Sequence, residues 1–319
     1  MKGMLAVYRK ELADHFGSNR FVILFALIAM VSFITAYMAG MSLRENLEGI
    51  ARPRFVFLML FNTTGALFSL VQFVAFFGPL VGLVLGFDAI NRERAHGTLI
   101  KLVSQPIYRD AVINGKFLAG VTTVSILLVS IVLVVSGFGL TLLGMVPGVE
   151  EIGRLALYLV ISVFYISFWL GIAILFSILF RSIPTSALAS VALWIFLSFF
   201  VSLGAEILSG AIAPVDSLQE PRREDVLRNA RIRERISLCS PMTLYSRASS
   251  ILIDPMRNTP RAMVLMGPRE RISASRFESP LPLGQSVLVV YPHLVALIAV
   301  TLICFAVSYG IFMSQEIRT

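Results

Sequence analysis

Few side chains in this sequence are placed to do chemistry. Gly115-Lys116 has the glycine and lysine of a phosphate-binding loop, but it lacks the upstream glycine and the hydroxyl residue that would follow the lysine. Such a loop needs backbone N–H groups around a phosphate and a hydroxyl on the metal, so this chain alone is not expected to hydrolyse ATP. His15, His96 and His293 are scattered, with no H-E-x-x-H pair to place two imidazoles on one helix face, and a zinc site has little support. No G-x-S-x-G turn raises a nucleophilic serine. Cys239 falls in a loop and Cys304 in an apolar run, without metal-ligand spacing. No catalytic residue, metal or cofactor is therefore expected in the chain itself.

The elements that would position any site are apolar to an unusual degree. Of 319 residues, 57% are hydrophobic and 14% charged, and the charges are bunched between long uncharged runs. Runs of about 20 apolar residues match the roughly 30 Å hydrocarbon core of a bilayer, where only helices and closed barrels satisfy their backbone groups. These runs are continuous rather than alternating, which favours helices. Six are found, at 21–41, about 67–87, 117–143, 155–180, 185–205 and 287–314. The uncharged stretch 55–87 exceeds one untilted span and is interrupted by Asn62-Thr63-Thr64-Gly65, so 55–61 reads as an outer extension or an interfacial stretch. The first run is longer than the core of a secretory signal and follows the acidic Glu11 and Asp14, so it is retained as a helix.

Ahead of it, Leu5, Tyr8, Leu12 and Phe16 recur at spacings of three and four while Lys2, Arg9, Lys10, Glu11 and Asp14 take other faces. That pattern predicts an amphipathic helix over 1–20 lying in the inner interface, with a short solvated lead-in as the alternative. Short loops rich in Lys and Arg tend to stay cytoplasmic. With the N-terminus inside, all four lysines fall on the inner side, and the short outer loops carry Arg44, Arg52, Arg54 and Arg154. The remaining arginines of the outer side lie in the loop 209–286, long enough to translocate regardless of charge. The expectation is an all-α membrane protein of six transmembrane helices, N- and C-termini cytoplasmic, in the cell membrane. It divides into 1–20, spans one to five over 21–208 with an inner loop at 88–116, an extracytoplasmic loop or small domain at 209–286, and the last span with the C-terminus at 287–319.

Ion pumps and proton-coupled carriers place titratable groups at mid-membrane, and these spans hold almost none. Gln72 is the most central polar side chain expected in the second span, either bonding a neighbouring helix or lining a translocation path. A driving force from a partner subunit is favoured.

In the inner loop, Leu99, Leu102 and Val103 form an apolar stripe on a short helix that Pro106 ends. Outside a bilayer such a stripe has to be covered, by lipid headgroups or by a groove on another protein. This stretch closely resembles the cytoplasmic segment of ABC-2 type transporter permeases, where E-x-x-x-G-T-L, then S-x-P, then R, then G-K-F follow the second span. The matching residues are Glu93, Gly97, Thr98, Leu99, Ser104, Pro106, Arg109, Gly115, Lys116 and Phe117. Ser240-Pro241 with Tyr245, and the terminal run from Phe312 to Arg318, are weaker matches. The overall look is similar to the branch that includes the permease of nitrous oxide reductase maturation and the gliding-type permeases.

The resemblance implies a coupling helix that inserts into a cleft of a separate ABC ATPase subunit, and a complex of two permeases, expected as a homodimer, with two ATPases that hold ATP and Mg. It implies charged rim contacts at Glu93 and Arg94, with Arg109 and Lys116 alongside, a buried anchor at Leu99 and Leu102, and close backbone approach at Gly97 and Thr98. Gly97 and Pro106 shaping a turn is the alternative. The long outer loop departs from relatives, so no cargo carries over. Within it Arg222, Arg223, Arg228, Arg231, Arg233 and Arg235 lie close in sequence, either on a solvated helix or in contact with anionic lipid or cargo. Met242, Met256, Met263 and Met266 have no close spacing that would support the copper handling one relative suggests. The function implied is the permease of an ATP-driven exporter. A membrane anchor or regulator bound to an ATPase, or a secondary transporter, are the other classes; nucleic acid is not an expected partner.

Overall fold

A chain whose backbone must be satisfied without water folds into helices, and in the computed structural model these come in two lengths. The structure describes residues 2–47, 55–62, 69–95, 97, 108–144, 146–214, 223–254 and 282–315. The elements are α1 (Lys2–Phe16), α2 (Asn19–Leu47), α3 (Val56–Asn62), α4 (Leu70–Gly86), α5 (Asn91–Ala95), α6 (Arg109–Leu143) and α7 (Val149–Leu179). They continue as α8 (Ile183–Ile195), a π-helical turn (Phe196–Phe200), α9 (Val201–Ile212), α10 (Arg223–Ser237), α11 (Pro241–Ile253) and α12 (Leu283–Ser314). Among the described residues, six helices are long and apolar enough to cross a membrane: α2, α4 running on to Ala95, α6, α7, α8 through α9, and α12. Each coincides with a run expected from sequence.

α4 and α7 form the centre. In the most apolar stretch of each, 67% is buried within the chain, against 17% for α8–α9 and 22% for α12. The reason is a row of glycines one helical turn apart. A Cβ on Gly82 would stand 2.6 Å from the Ile166 carbonyl oxygen and 2.9 Å from the Leu170 nitrogen, and one on Gly86 would stand 2.7 Å from Ala173 Cβ. A Cβ on Gly78 would stand 3.1 Å from the Ile166 side chain. Where lipid offers apolar groups as good as any side chain, close backbone approach is what holds helices together. Tyr165 hydroxyl donates to the Ala75 carbonyl at 2.7 Å across the same seam.

The end of the bundle remote from the termini is closed by two short helices. α3 has Val56, Phe57, Leu58, Leu60 and Phe61 buried, so this stretch forms a short helix of its own, packed into the bundle. α11, started by Ser240 with Pro241 in the first turn, buries Tyr245, Ala248, Leu252 and Ile253. Tyr245 stacks on Tyr165 at 4.3 Å, and its hydroxyl lies 2.9 Å from Ser162 Oγ. Arg154, expected in a short outer loop, is fully buried in the second turn of α7. Its guanidinium donates to the Leu252 carbonyl and Ser286 Oγ, pairs with Glu150 at 3.0 Å, and lies over the Phe55 ring. One arginine thus ties α7, α11, α12 and the start of α3 together.

Gly82→Leu forces side-chain atoms into the α7 backbone and is expected to destabilise the bundle by about 3 kcal/mol or to prevent its assembly. Gly137→Ala, where an added Cβ meets nothing within 4 Å, is expected to be neutral. Unfolding of both variants in mixed micelles, followed by tryptophan fluorescence, measures the difference.

Candidate functional site

The helix ends nearest the two termini converge where the chain leaves the bundle after α5 and re-enters at α6. Three networks of side chains hold this region. In the first, α1 lies along α6 because Gly115 has no side chain to keep it away: a Cβ there would be 2.9 Å from Val7 Cγ1. One residue on, Lys116 Nζ lies 2.7 Å from Glu11 Oε1 and 3.5 Å from Glu93 Oε1, and its side chain is only 4% exposed. Lys10 Nζ closes the group at 2.9 Å from Glu93, 3.0 Å from Glu11 and 3.3 Å from Asp14. Phe117 then packs on Phe305 of α12 at 4.4 Å, and Tyr8 donates its hydroxyl to Thr122 Oγ1 at 3.1 Å. Burial by itself would raise the Glu11 carboxyl, but Lys116 and Lys10 beside it hold it below the ordinary carboxylate range. For Lys10, burial opposes the charged form, and the Glu93 and Glu11 carboxylates outweigh it and raise the ammonium. Burial lowers the His15 imidazole one turn away.

The second network grips the other end of the polypeptide. A helix leaves its last carbonyls without partners, and cationic side chains are well suited to fill them. Arg94 donates to the Ile178 carbonyl of α7 at 3.3 Å and to the Gln315 side chain, whose own amide donates to Ile178 at 3.1 Å. Arg109 donates to the Gln315 carbonyl at 2.7 Å and sits over the Phe312 ring. In the third network the Ile90 and Asn91 amides donate to Ser177 Oγ at 2.9 and 3.1 Å, and Ser186 Oγ donates to the Phe87 carbonyl at 2.8 Å. Gly97 ends α5 in the left-handed region, φ +67°, its amide donating to the Arg94 carbonyl. The segment beyond Gly97 therefore starts and finishes on backbone fixed to α1, α7 and α12.

The two ends of segment 96–107 are thus tied to a bundle of apolar helices, and the sequence as a whole falls within a known family. The family model described as "ABC-2 family transporter protein" matches residues 5–317. The chain belongs to the ABC-2 transporter family. It is also 31% identical over 147 residues to "Probable ABC transporter permease protein NosY" of Pseudomonas aeruginosa. That match covers 45% of this chain and 47% of the relative, so the chain is matched to about half the length of that curated protein. The protein is thus a multi-pass membrane permease of the ABC type.

In this permease Glu93, Arg94, Gly97, Arg109 and Lys116 come together at the roots of the loop. The side chains of Glu93 and Lys116 face α1, and those of Arg94 and Arg109 hold Gln315. Among the described residues, nothing comes within 4 Å of a Cβ added at Gly97. Thr98, Leu99, Leu102, Ser104 and Pro106 lie outside the described residues. Gln72 is not central to its span. Helix α4 begins only at Leu70, and Gln72 forms a capping box with Ser69: its amide donates to Ser69 Oγ at 3.3 Å and its side chain accepts from the Ser69 amide at 3.1 Å. The sequence Ser69-x-x-Gln72 carries that signal, hidden inside an uncharged run.

Of the arginines expected on the outer side, Arg228, Arg231, Arg233 and Arg235 are exposed on α10, Arg233 at 3.7 Å from an exposed Glu206. Arg222 is outside the described residues, and Arg223 opens α10. Asn229 fastens α10 to the end of α9 through the Ser209 and Ala213 carbonyls. Met242 is partly buried against the core, while Met256, Met263 and Met266 lie outside the described residues. Glu11, Asn91, Ser177 and Gln315 were not singled out in the sequence; single polar residues at helix ends acquire meaning only once the ends meet.

Lys116→Met leaves the buried Glu11 carboxylate short of its nearest cation and is expected to cost about 3 kcal/mol. The double variant with Glu11→Gln is expected to cost less than the two singles together, and a double-mutant cycle reads the coupling. Acid should weaken the fold in two windows. The neutral His15 imidazole favoured by burial makes the unfolded chain the stronger proton acceptor, so stability starts to fall as pH drops past 6.5. The Glu11 contribution is whole above 4.5 and is lost as pH falls through its lowered value. His15→Asn should flatten the first window and Glu11→Gln the second.

Proposed function

We propose that this permease couples ATP hydrolysis by a separate nucleotide-binding subunit to efflux of a substrate, its loop 96–107 serving as the coupling segment. The observation that carries this reading is the anchoring of both loop roots. A force applied by a partner at the loop reaches α4 and α6 directly, α7 through Ser177 and Ile178, α12 through Gln315, and α1 through Glu93 and Lys116. Side chains with fixed partners transmit such a displacement rather than absorb it.

In this scheme the end bearing the termini faces the cytoplasm, as the lysine distribution favours, and the ATPase holds the ATP and Mg. ATP binding favours one arrangement of the permease over another by differential affinity. Two copies of the chain pair, and cargo passes between them. Within one chain the central seam is closed by Gly78, Gly82 and Gly86 against α7, with no room for a passenger. Export is the direction that the family resemblance implies.

Leu102→Asp and Gly97→Trp are expected to leave the permease inserted while lowering permease-dependent ATP turnover by an order of magnitude or more. Arg94→Ala should lower it less, by loosening one root of the loop. Co-purification with a candidate cytosolic ATPase subunit, reconstitution in vesicles and measurement of ATP turnover with and without the permease test the scheme. Full coupling in both Leu102→Asp and Gly97→Trp would overturn it.

A further inference from the structure

A cavity of about 770 Å³ opens beside the first network, between α1, the start of α2 and the end of α4. Its size suits a small organic ligand. Four carboxylates line it, Glu11, Asp14, Asp88 and Glu93, and so do four permanent cations, Lys10, Arg20, Arg92 and Lys116. The fixed charges sum to zero, so a purely anionic or purely cationic ligand gains no net attraction. A ligand carrying both signs a few ångströms apart can pair each with its opposite. Arg20, whose Nη1 lies 3.0 Å from Asp88 Oδ2, remains 67% exposed while the Asp88 side chain is 14% exposed, so a ligand reaches the cation directly and the carboxylate from within the cavity.

The surroundings say what kind of zwitterion. Below the charges the cavity is lined by Phe21, Val84, Leu85 and Ile174. Just past Arg20, Val22 and Ile23 begin the uncovered apolar face of α2, and α1 leaves Leu5 and Phe16 uncovered at the same end. Charges above, hydrocarbon below and lipid-facing surface alongside mark the level of the phospholipid headgroups. A quaternary ammonium is recognised by a cage of aromatic faces, and Phe21 and the His15 imidazole are the two aromatic rings among the described lining residues, too few for such a cage. Carboxylates instead suit a primary ammonium with three N–H donors.

We infer that this cavity binds the headgroup of an aminophospholipid of the phosphatidylethanolamine class, its phosphate on Arg20 and its ammonium on Asp88 and Asp14. Because it involves the permease alone, the inference stands or falls separately from the ATP-coupled scheme.

The test is native mass spectrometry of the delipidated full-length permease titrated with dioleoyl-phosphatidylethanolamine, -phosphatidylcholine or -phosphatidylglycerol. The ethanolamine lipid is expected to bind at least about tenfold more tightly than either of the others. Arg20→Ala and Asp88→Asn should each bring it down to the choline level, Arg20→Lys should retain part of the preference, and Arg228→Ala on α10 should leave it intact. Melting curves recorded on each variant separate loss of the site from loss of the fold. Equal binding of the three lipids, tighter binding of the glycerol lipid, or a preference unchanged in folded Arg20→Ala would overturn the inference. Soluble glycerophosphoethanolamine binding as tightly as the lipid would also overturn it, by assigning the cavity to a cytosolic zwitterion.

Discussion

An ammonium group withdrawn from water needs its countercharge within reach, and Lys116 imposes that requirement on the end of the bundle where the termini meet. Its Nζ is held by Glu11 from one helix and Glu93 from another, and Lys10 returns to both carboxylates. None of the four groups can leave without stranding a buried charge, which costs several kcal/mol. The position of α1 against α6 is set by that demand, and Gly115 is what allows it. The triplet Gly115-Lys116-Phe117 therefore has a local explanation: one residue admits α1, the next binds it electrostatically, and the third packs on α12.

The opposite end obeys the same rule with Arg154 as its buried cation. Between the two ends, the α4–α7 seam is held by backbone contact rather than by interlocking side chains. Helices pinned electrostatically at both ends and in backbone contact between them move as bodies, and motion in such a bundle is channelled into displacement of one group of helices relative to another. That is the kind of movement a subunit driven from a loop requires.

Much of this was legible in the sequence because a bilayer imposes a length and a composition on each span, and six uncharged runs meet both. At the ends of segment 96–107, Glu93, Gly97, Arg109 and Lys116 were marked by the family resemblance, and their charges alone did not say that they would meet α1 and Gln315. What was not legible depended on partners distant in sequence. Arg154 reads as a loop charge until Leu252 and Ser286 are placed against it. Residues 55–61 read as surplus length until their burial shows a separate helix. Gln72 misled because hydropathy alone locates the centre of a run, whereas the capping box at Ser69 locates the start of the helix. The spacing of four in Gly78, Gly82 and Gly86 gives no sign of its role until Ile166, Leu170 and Ala173 lie opposite it.

The neighbouring residues Glu93 and Arg94 hold opposite extremes of the polypeptide: one meets Lys10, 83 positions earlier, and the other meets Gln315, 221 positions later. A ribosome delivers these partners at very different times. Helix α1 is already waiting when the loop root emerges, so the first half of the junction can close early in biosynthesis. The second half stays open until the last span has been made, and Arg94 and Arg109 then receive the final turn of α12 as a latch receives its bolt. Completion of the junction thereby requires α12 to be in place.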